Sequence, residues 1–322
     1  MIFKSKKFKA VVAGALVMAS MVGCSGKTNT ETSQISELTI THVTSPLNVP
    51  SIIQKNKNTF EQVFKNEGMD IKVNYAEITS GADQTQALAS GDVDILYAVG
   101  GTSVISAAAN GADIKVLNMY SRSPKAFCMY SADESINSAE ALRGKTIAGP
   151  TGTNLHQLLV AYLEKAGMTI DDVNYVNMSI PDAKAALDGG SVDVALVAGP
   201  TAYKSQQQGY HLVTDGEGLT DALIAVAVRE DFYNEHKDVI DAFMAGESEV
   251  LEFINNNYDE TMGIVATELD LDKSAVEEMF TQYDFNMDIT EADRVAFQNV
   301  ADFMYKTNMI ESEFDVNSLF FN

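Results

Sequence analysis

The chain has no tryptophan, two cysteines and six prolines among 322 residues, and its 22 basic residues face 45 acidic ones. Each shortage excludes something. Without Trp, no indole can stack on a ligand, and that role falls to Tyr or Phe. A formal charge of −23 argues against a nucleic-acid partner, because phosphate binding needs a basic footprint. It also requires any anionic ligand to be held by local dipoles and hydrogen bonds rather than by the overall field. Cys24 and Cys128 are the only thiols, and His42, His156, His211 and His236 are scattered. That inventory supplies neither a metal set nor a nucleophile–base pair at usable spacing. No cofactor and no metal are expected. Beyond the N-terminal leader, no stretch approaches the ~18 apolar residues that a membrane-spanning helix needs.

The leader is the first positive signal. Lys4, Lys6, Lys7 and Lys9 precede an apolar run from Ala10 to Val22 that ends in Gly23-Cys24. This reads as a secretory signal peptide over residues 1–23. Met21-Val22-Gly23-Cys24 resembles a bacterial lipobox, which implies cleavage before Cys24 and lipidation of its sulfur. Residues 24–37 are polar and rich in Ser and Thr, a flexible tether. Removing residues 1–23 takes away four lysines and no acid, leaving 18 basic against 45 acidic residues, a formal −27. If lipid occupies Cys24, Cys128 has no disulfide partner and reads as a small buried hydrophobe.

Strands then alternate with helices. Leu38–Val43, Ile71–Ile78, Val93–Val99 and Ile114–Tyr120 read as strands, with helices predicted near 50–66, from Ser80 to Gly91 and from Thr102 to Gly111. The pattern restarts near Ser123 with Ala126–Tyr130, Thr146–Ala148, a helix from Asn154 to Ala166, Val173–Asn177, a helix from Ser179 and Val192–Val197. Such alternation predicts parallel sheets with helical crossovers. Ala87-Leu88-Ala89-Ser90-Gly91-Asp92-Val93-Asp94 and Ala186-Leu187-Asp188-Gly189-Gly190-Ser191-Val192-Asp193 share one arrangement: helix end, glycine stop, then a strand opening on Val-Asp. Two lobes on one plan are implied. After a strand at Leu223–Val228, residues 229–322 read as almost wholly helical.

One device recurs where a strand feeds a helix or turn. Thr44-Ser45, Ser80-Gly81, Gly101-Thr102, Thr151-Gly152-Thr153, Ser179 and Gly199-Pro200-Thr201 are all short, small and hydroxylated. One such loop is only a helix cap. Six of them, at the carboxyl edges of strands in two lobes, place several helix N-termini around one cleft, where a polar or anionic ligand binds.

The segments LRGKTIAGPTGTNLHQLLVAYLEKAGM (142–168), PDAKAALDGGSVDVALV (181–197) and ALASGDVDILYAVGGTSVISAAANGADIKVL (87–117) resemble the nitrate/sulfonate/taurine-type substrate-binding proteins of ABC importers. That superfamily also includes binders of thiamine pyrimidine precursors. VREDFYNEHKDVIDAFM (228–244) and ADFMYKTNMI (301–310) resemble the same family's C-terminal helices, so the likeness covers nearly the whole mature chain. It implies an α/β protein with the type II periplasmic-binding fold, two lobes joined by a two-stranded hinge around a ligand cleft. Lobe 1 would be residues 38–122 plus 226–322, and lobe 2 residues 123–225.

By that likeness the protein is not an enzyme. It is a monomeric solute-binding lipoprotein, held by Cys24 on the outer face of the cell membrane, that captures a small polar or anionic solute and delivers it to ABC permease subunits. The ligand contacts fall on Thr44, Ser45, Ser80, Gly81, Gly101, Thr102, Thr151, Gly152, Thr153 and Thr201, with Arg122 as a charge-assisted donor. Many members carry a Trp where this chain has Val197-Ala198-Gly199-Pro200, so stacking would pass to Tyr97, Tyr120 or Tyr203. The alternatives are a binder of a thiamine pyrimidine precursor and an enzyme of thiamine pyrimidine synthesis on the same fold. The enzyme needs histidines with a cysteine-rich stretch that this chain lacks.

Overall fold

The computed structural model describes residues 35–321, so the leader, Cys24 and most of the expected tether lie outside the described residues. The chain opens with β1 (Glu37–Thr41), α1 (Val49–Lys57), α2 (Thr59–Asn66), β2 (Lys72–Ala76), α3 (Gly81–Ser90), β3 (Ile95–Gly100), α4 (Gly101–Ala109) and β4 (Lys115–Arg122). The single helix expected over 50–66 is two. Asn58 takes a left-handed conformation (φ 52°) and its N–H closes α1 on the Gln54 and Lys55 carbonyls. Asn tolerates that backbone better than most residues.

The chain then crosses to β5 (Phe127–Ser131), β6 (Thr146–Gly149), α5 (Asn154–Lys165), β7 (Asn174–Asn177), α6 (Ile180–Asp188), β8 (Val194–Ala198), α7 (Gly199–Gln207) and β9 (His211–Asp215). It returns as β10 (Leu223–Val228) and ends in α8 (Glu230–Glu235), α9 (Lys237–Asn256), α10 (Tyr258–Leu269), α11 (Lys273–Phe280) and α12 (Glu291–Lys306).

Two five-stranded sheets result, ordered β2-β1-β3-β10-β4 and β7-β6-β8-β5-β9. Neither is wholly parallel, which corrects the expectation above. β10 runs antiparallel to β3 and β4, and β5 antiparallel to β8 and β9. The reason lies in the crossings. Phe127 opens β5 opposite Ala198, the last residue of β8, and Leu223 opens β10 opposite Arg122, the last residue of β4. Each crossing strand therefore enters its sheet at the carboxyl edge and must run backwards. The carboxyl edges of both sheets consequently face the lobe boundary.

The Val-Asp echo also has a physical cause. Asp94 accepts the Thr39 N–H at 2.8 Å, and Asp193 accepts the Thr146 N–H at 2.7 Å. Each carboxylate clips the neighbouring strand, β1 or β6, near its start. Burial raises the Asp94 carboxyl above its ordinary value, against that hydrogen bond and the nearby Arg229.

β3, β8 and β10 are buried on both faces, the near-continuous apolar pattern of a covered sheet. In the larger lobe Tyr97 lies on one face of the sheet with Phe60 and Phe243, while Leu96 and Val99 lie on the other with Phe297. Among the described residues, no helix is long and apolar enough to cross a membrane.

Candidate functional site

The site is built from helix starts brought face to face across the lobe boundary. In the larger lobe, α4 begins at Gly101 directly from β3. A Cβ at Gly101 would press on Leu223 and Phe297 at 3.2–3.3 Å, so glycine lets this helix start lie against β10 and α12. Thr102 is fully buried, and its hydroxyl donates across the boundary to Asn154 Oδ1 at 3.2 Å. Asn154 Nδ2 in turn donates to the Leu223 carbonyl at 3.2 Å. Ser103 Oγ donates to the Gly152 carbonyl at 3.4 Å. Gly81, the first residue of α3, leaves room for that hydroxyl, since a Cβ there would lie 2.1 Å from Ser103 Oγ.

The loop before α5 is organised mainly within its own lobe. Gly152 makes the turn with φ +73°. The Thr151 N–H donates to Asn177 Oδ1 at 3.0 Å, and the Gly152 N–H to His156 Nδ1 at 3.2 Å. Thr153 is the N-cap by position, yet its hydroxyl turns back to the Pro150 carbonyl at 2.8 Å. The expectation that this loop's N–H groups are open to a ligand is therefore narrowed. Those of Thr151 and Gly152 are committed, and the donors of this helix start are those from Thr153 to His156, which an α-helix leaves without intrahelical partners.

His156 stacks on Tyr175 (centroids 4.9 Å apart, 7° between planes). Burial lowers its pKa, and accepting from Gly152 requires Nδ1 to be unprotonated. His156 is thus a neutral prop of the loop.

A second junction joins Thr44-Ser45 to α7. Gly199, the first residue of α7, has φ +52°, and a Cβ there would lie 2.9 Å from the Leu47 N and 3.0 Å from Pro46 Cα. Thr44 and Thr201 are half-buried beside this contact and Ser45 is exposed. Ser80 serves as the N-cap of α3, accepting the Asp83 N–H at 3.3 Å.

Three expected ligand contacts have other work. Arg122, at the end of β4, spends its guanidinium on Asp293 (2.6 and 2.7 Å) and on the Asn286 and Asp288 carbonyls (2.8 Å each). Burial raises the Asp293 carboxyl, but the hydrogen bonds from Arg122 and Thr290 bring it down to about 2. Arg122 is a pin between the end of β4 and α12. Tyr97 and Tyr120 are core residues meeting edge to face at 5.0 Å, and Tyr120 shares its hydroxyl with Ser51 Oγ at 2.9 Å. Tyr203 lines a crevice of about 590 Å³ between α7 and the α10–α11 turn.

Sequence reasoning passed over Asn154 and Ser103, which make contacts across the lobe boundary, along with Asn177 and Tyr175, which hold the loop before α5. Only Asn154 had a local signal, a polar residue opening an apolar helix. Among the described residues no group of three His, Cys, Asp or Glu side chains is placed to hold a metal ion.

Two α/β lobes with small hydroxylated helix starts opposed across a double crossing define the periplasmic-binding-protein fold. The chain belongs to the NMT1/THI5-like family, whose model matches residues 62–261. It is 28% identical over 275 residues, 84% of this chain and 82% of the relative, to a putative aliphatic sulfonates-binding protein of Bacillus subtilis (strain 168). It is 30% identical over 214 residues, 65% of this chain and 64% of the relative, to the taurine-binding periplasmic protein of Escherichia coli (strain K12). The fold matches the alkanesulfonate-binding protein SsuA from Xanthomonas axonopodis pv. citri bound to MOPS, with a TM-score of 0.81, 20% identity, and coverage of 90% of this chain and 99% of that one. A Candida albicans protein with the generic periplasmic binding protein fold matches with a TM-score of 0.72 at 15% identity, covering 89% and 96% of the two chains.

Proposed function

We propose that this protein captures a small organosulfonate anion, such as an alkanesulfonate or taurine, and hands it to the permease of an ABC importer. The observation that carries the reading is the opposition of the α4 and α5 N-termini across the lobe boundary. Each helix start presents about half a positive charge and unpaired N–H groups. In so acidic a chain these are the attractions an anion can use. The N–H groups of Thr153 to His156 and the hydroxyls of Thr44, Ser45 and Thr201 are the donors this reading assigns. A hydrogen bond to a charged oxygen is worth about 1.5–3 kcal/mol, and a neutral one about 1. The likeness to relatives named for sulfonates and taurine supports the same class of anion.

In this reading, residues 38–122 plus 223–322 and residues 123–222 are the two lobes, β10 carrying residues 223–225 into the first sheet rather than into the second lobe as the sequence suggested, and the crossings at 123–126 and 216–222 are the hinge. The protein acts as a monomer tethered by lipid on Cys24 outside the membrane. A thermal-shift panel of methanesulfonate, taurine, nitrate, sulfate and a thiamine pyrimidine precursor tests it, because a ligand that binds only the folded state raises its melting point. Sulfonates should give the largest rise. A rise with the pyrimidine alone would overturn the reading.

A further inference from the structure

Asn154 is polar, opens α5 and is nevertheless only 3% exposed. Both ends of its amide are used, and both partners belong to the other lobe. Its oxygen accepts from Thr102 at the start of α4, and its nitrogen donates to the carbonyl of Leu223, the first residue of β10. One side chain thus ties the smaller lobe to a helix start and to the return strand of the hinge. Thr102, fully buried, has committed its hydroxyl to that amide.

We propose that the Asn154 side chain is a closure latch, a positioning group that joins the lobes through Thr102 and Leu223, makes no contact of its own with the solute, and sets how much of the ligand-free protein is closed. The physical need for one is visible in the site. Closing the lobes brings the like partial charges of two helix starts together, which favours reopening. A neutral amide bridging donor and acceptor holds the lobes against that repulsion before any anion arrives to relieve it. Opening lets water satisfy the same groups, so the net bias is modest. Two neutral hydrogen bonds shift the closed-to-open ratio by on the order of ten-fold. Apparent affinity scales with the closed, binding-competent fraction, so a weakened latch weakens capture without removing a ligand contact. The effect on affinity rests on the solute-binding reading above; the effect on closure does not.

The test is small-angle scattering on the mature chain without ligand, for wild type, Asn154→Ala, Thr102→Val, the double variant and Thr102→Ser. Asn154→Ala and Thr102→Val should each enlarge the radius of gyration. The double variant should be no more open than Asn154→Ala, and Thr102→Ser, which keeps the hydroxyl, should match wild type. Stopped-flow tyrosine fluorescence with taurine should show dissociation from Asn154→Ala faster by on the order of ten-fold. Circular dichroism checks folding, and if Asn154→Ala does not fold, the Thr102→Val and Thr102→Ser pair decides. Unchanged ligand-free radii in the folded variants, or effects that simply add, would overturn the latch. Expanded radii in a protein that shows no taurine binding even as wild type would uphold the latch and sink the organosulfonate reading instead.

Discussion

Gly101 and Gly199 hold equivalent places in the two lobes, each the first residue of the helix that directly follows a central, largely buried strand. Their surroundings differ. A Cβ on Gly101 would meet Phe297 and Leu223, in its own lobe's packing, whereas a Cβ on Gly199 would meet the backbone of Pro46 and Leu47 in the other lobe. The same contrast runs through the two sheets. They share strand order, a single reversed strand and an aspartate clip. Only the first, however, is covered by the long C-terminal helices, which bring Phe243 and Phe297 onto its two faces. In the second sheet β7 is half-exposed and β9 exposes Leu212. One plan therefore serves two purposes. The larger lobe is a thick frame that carries stability, and the smaller lobe is a thinner partner whose conspicuous residues face the boundary.

The largest test of this division concerns Glu247, on α9 beneath the first sheet. It is fully buried, with Asn118 Nδ2 2.6 Å from its carboxyl, and burial pushes its pKa up to about 8. The folded chain therefore holds this proton more tightly than the unfolded chain, whose carboxyl titrates near 4.5. The contribution of Glu247 to stability should be complete below that value, fall as pH rises from about 4.5 to about 8, and be gone above. The loss of that contribution should be on the order of 5 kcal/mol. Glu247→Gln should flatten this slope and stabilise the protein at pH 8 in calorimetric melting. A slope unchanged in the variant would show that Glu247 does not supply it.

Next come the two clips. Asp94→Ala strands the Thr39 N–H beneath the covered sheet and should cost about 1.5–3 kcal/mol, while the more exposed Asp193→Ala should cost about 1. Equal losses in chemical denaturation would contradict the asymmetry of the lobes.

The glycine pair separates stability from closure. Gly199→Ala forces the lobes apart and should weaken taurine binding by about 1–3 kcal/mol in titration calorimetry. Gly101→Ala should lower the melting temperature and leave affinity closer to wild type. Similar binding losses in both would mean that the two positions are not specialised.

The smallest effects belong to the loop before α5. Thr151→Ala leaves the Thr151 N–H bond to Asn177 intact and should change affinity by less than about 1 kcal/mol. Gly152→Val, strained at φ +73°, disturbs the His156 contact and the Ser103 bond and should cost more. A larger loss in Thr151→Ala than in Gly152→Val would reinstate the Thr151 hydroxyl as a ligand contact.

Much of this fold was legible because local chemistry agrees with it. Ser80 and Ser179 cap their helices through the N–H groups of Asp83 and Asp182, Gly91 ends α3 in a left-handed conformation, and the Val-Asp echo marks equivalent strands. The direction of β5 and β10 was not legible, because an apolar strand reads alike whichever way it runs. Nor was the employment of Arg122, whose partners lie more than 160 residues away. The candidate site divided along the same line. Turn and cap positions followed from composition, but a hydroxyl such as that of Thr102 looks identical whether it awaits a ligand or is spent on Asn154. The core roles of Tyr97 and Tyr120 were hidden for a related reason, since both lie on strands with two covered faces.

The return of β10 to the first sheet has a consequence for how the protein is made. The smaller sheet draws all its strands from one uninterrupted segment, residues 127–215, whereas β10 fills the gap between β3 and β4 from beyond that segment. A chain synthesised from its amino end can therefore complete the second sheet before the first. β3 and β4 are made early and wait, with their facing edges unpaired, until residue 228 has been made. Until then that open slot is the part of the nascent protein most exposed to pairing with the wrong strand.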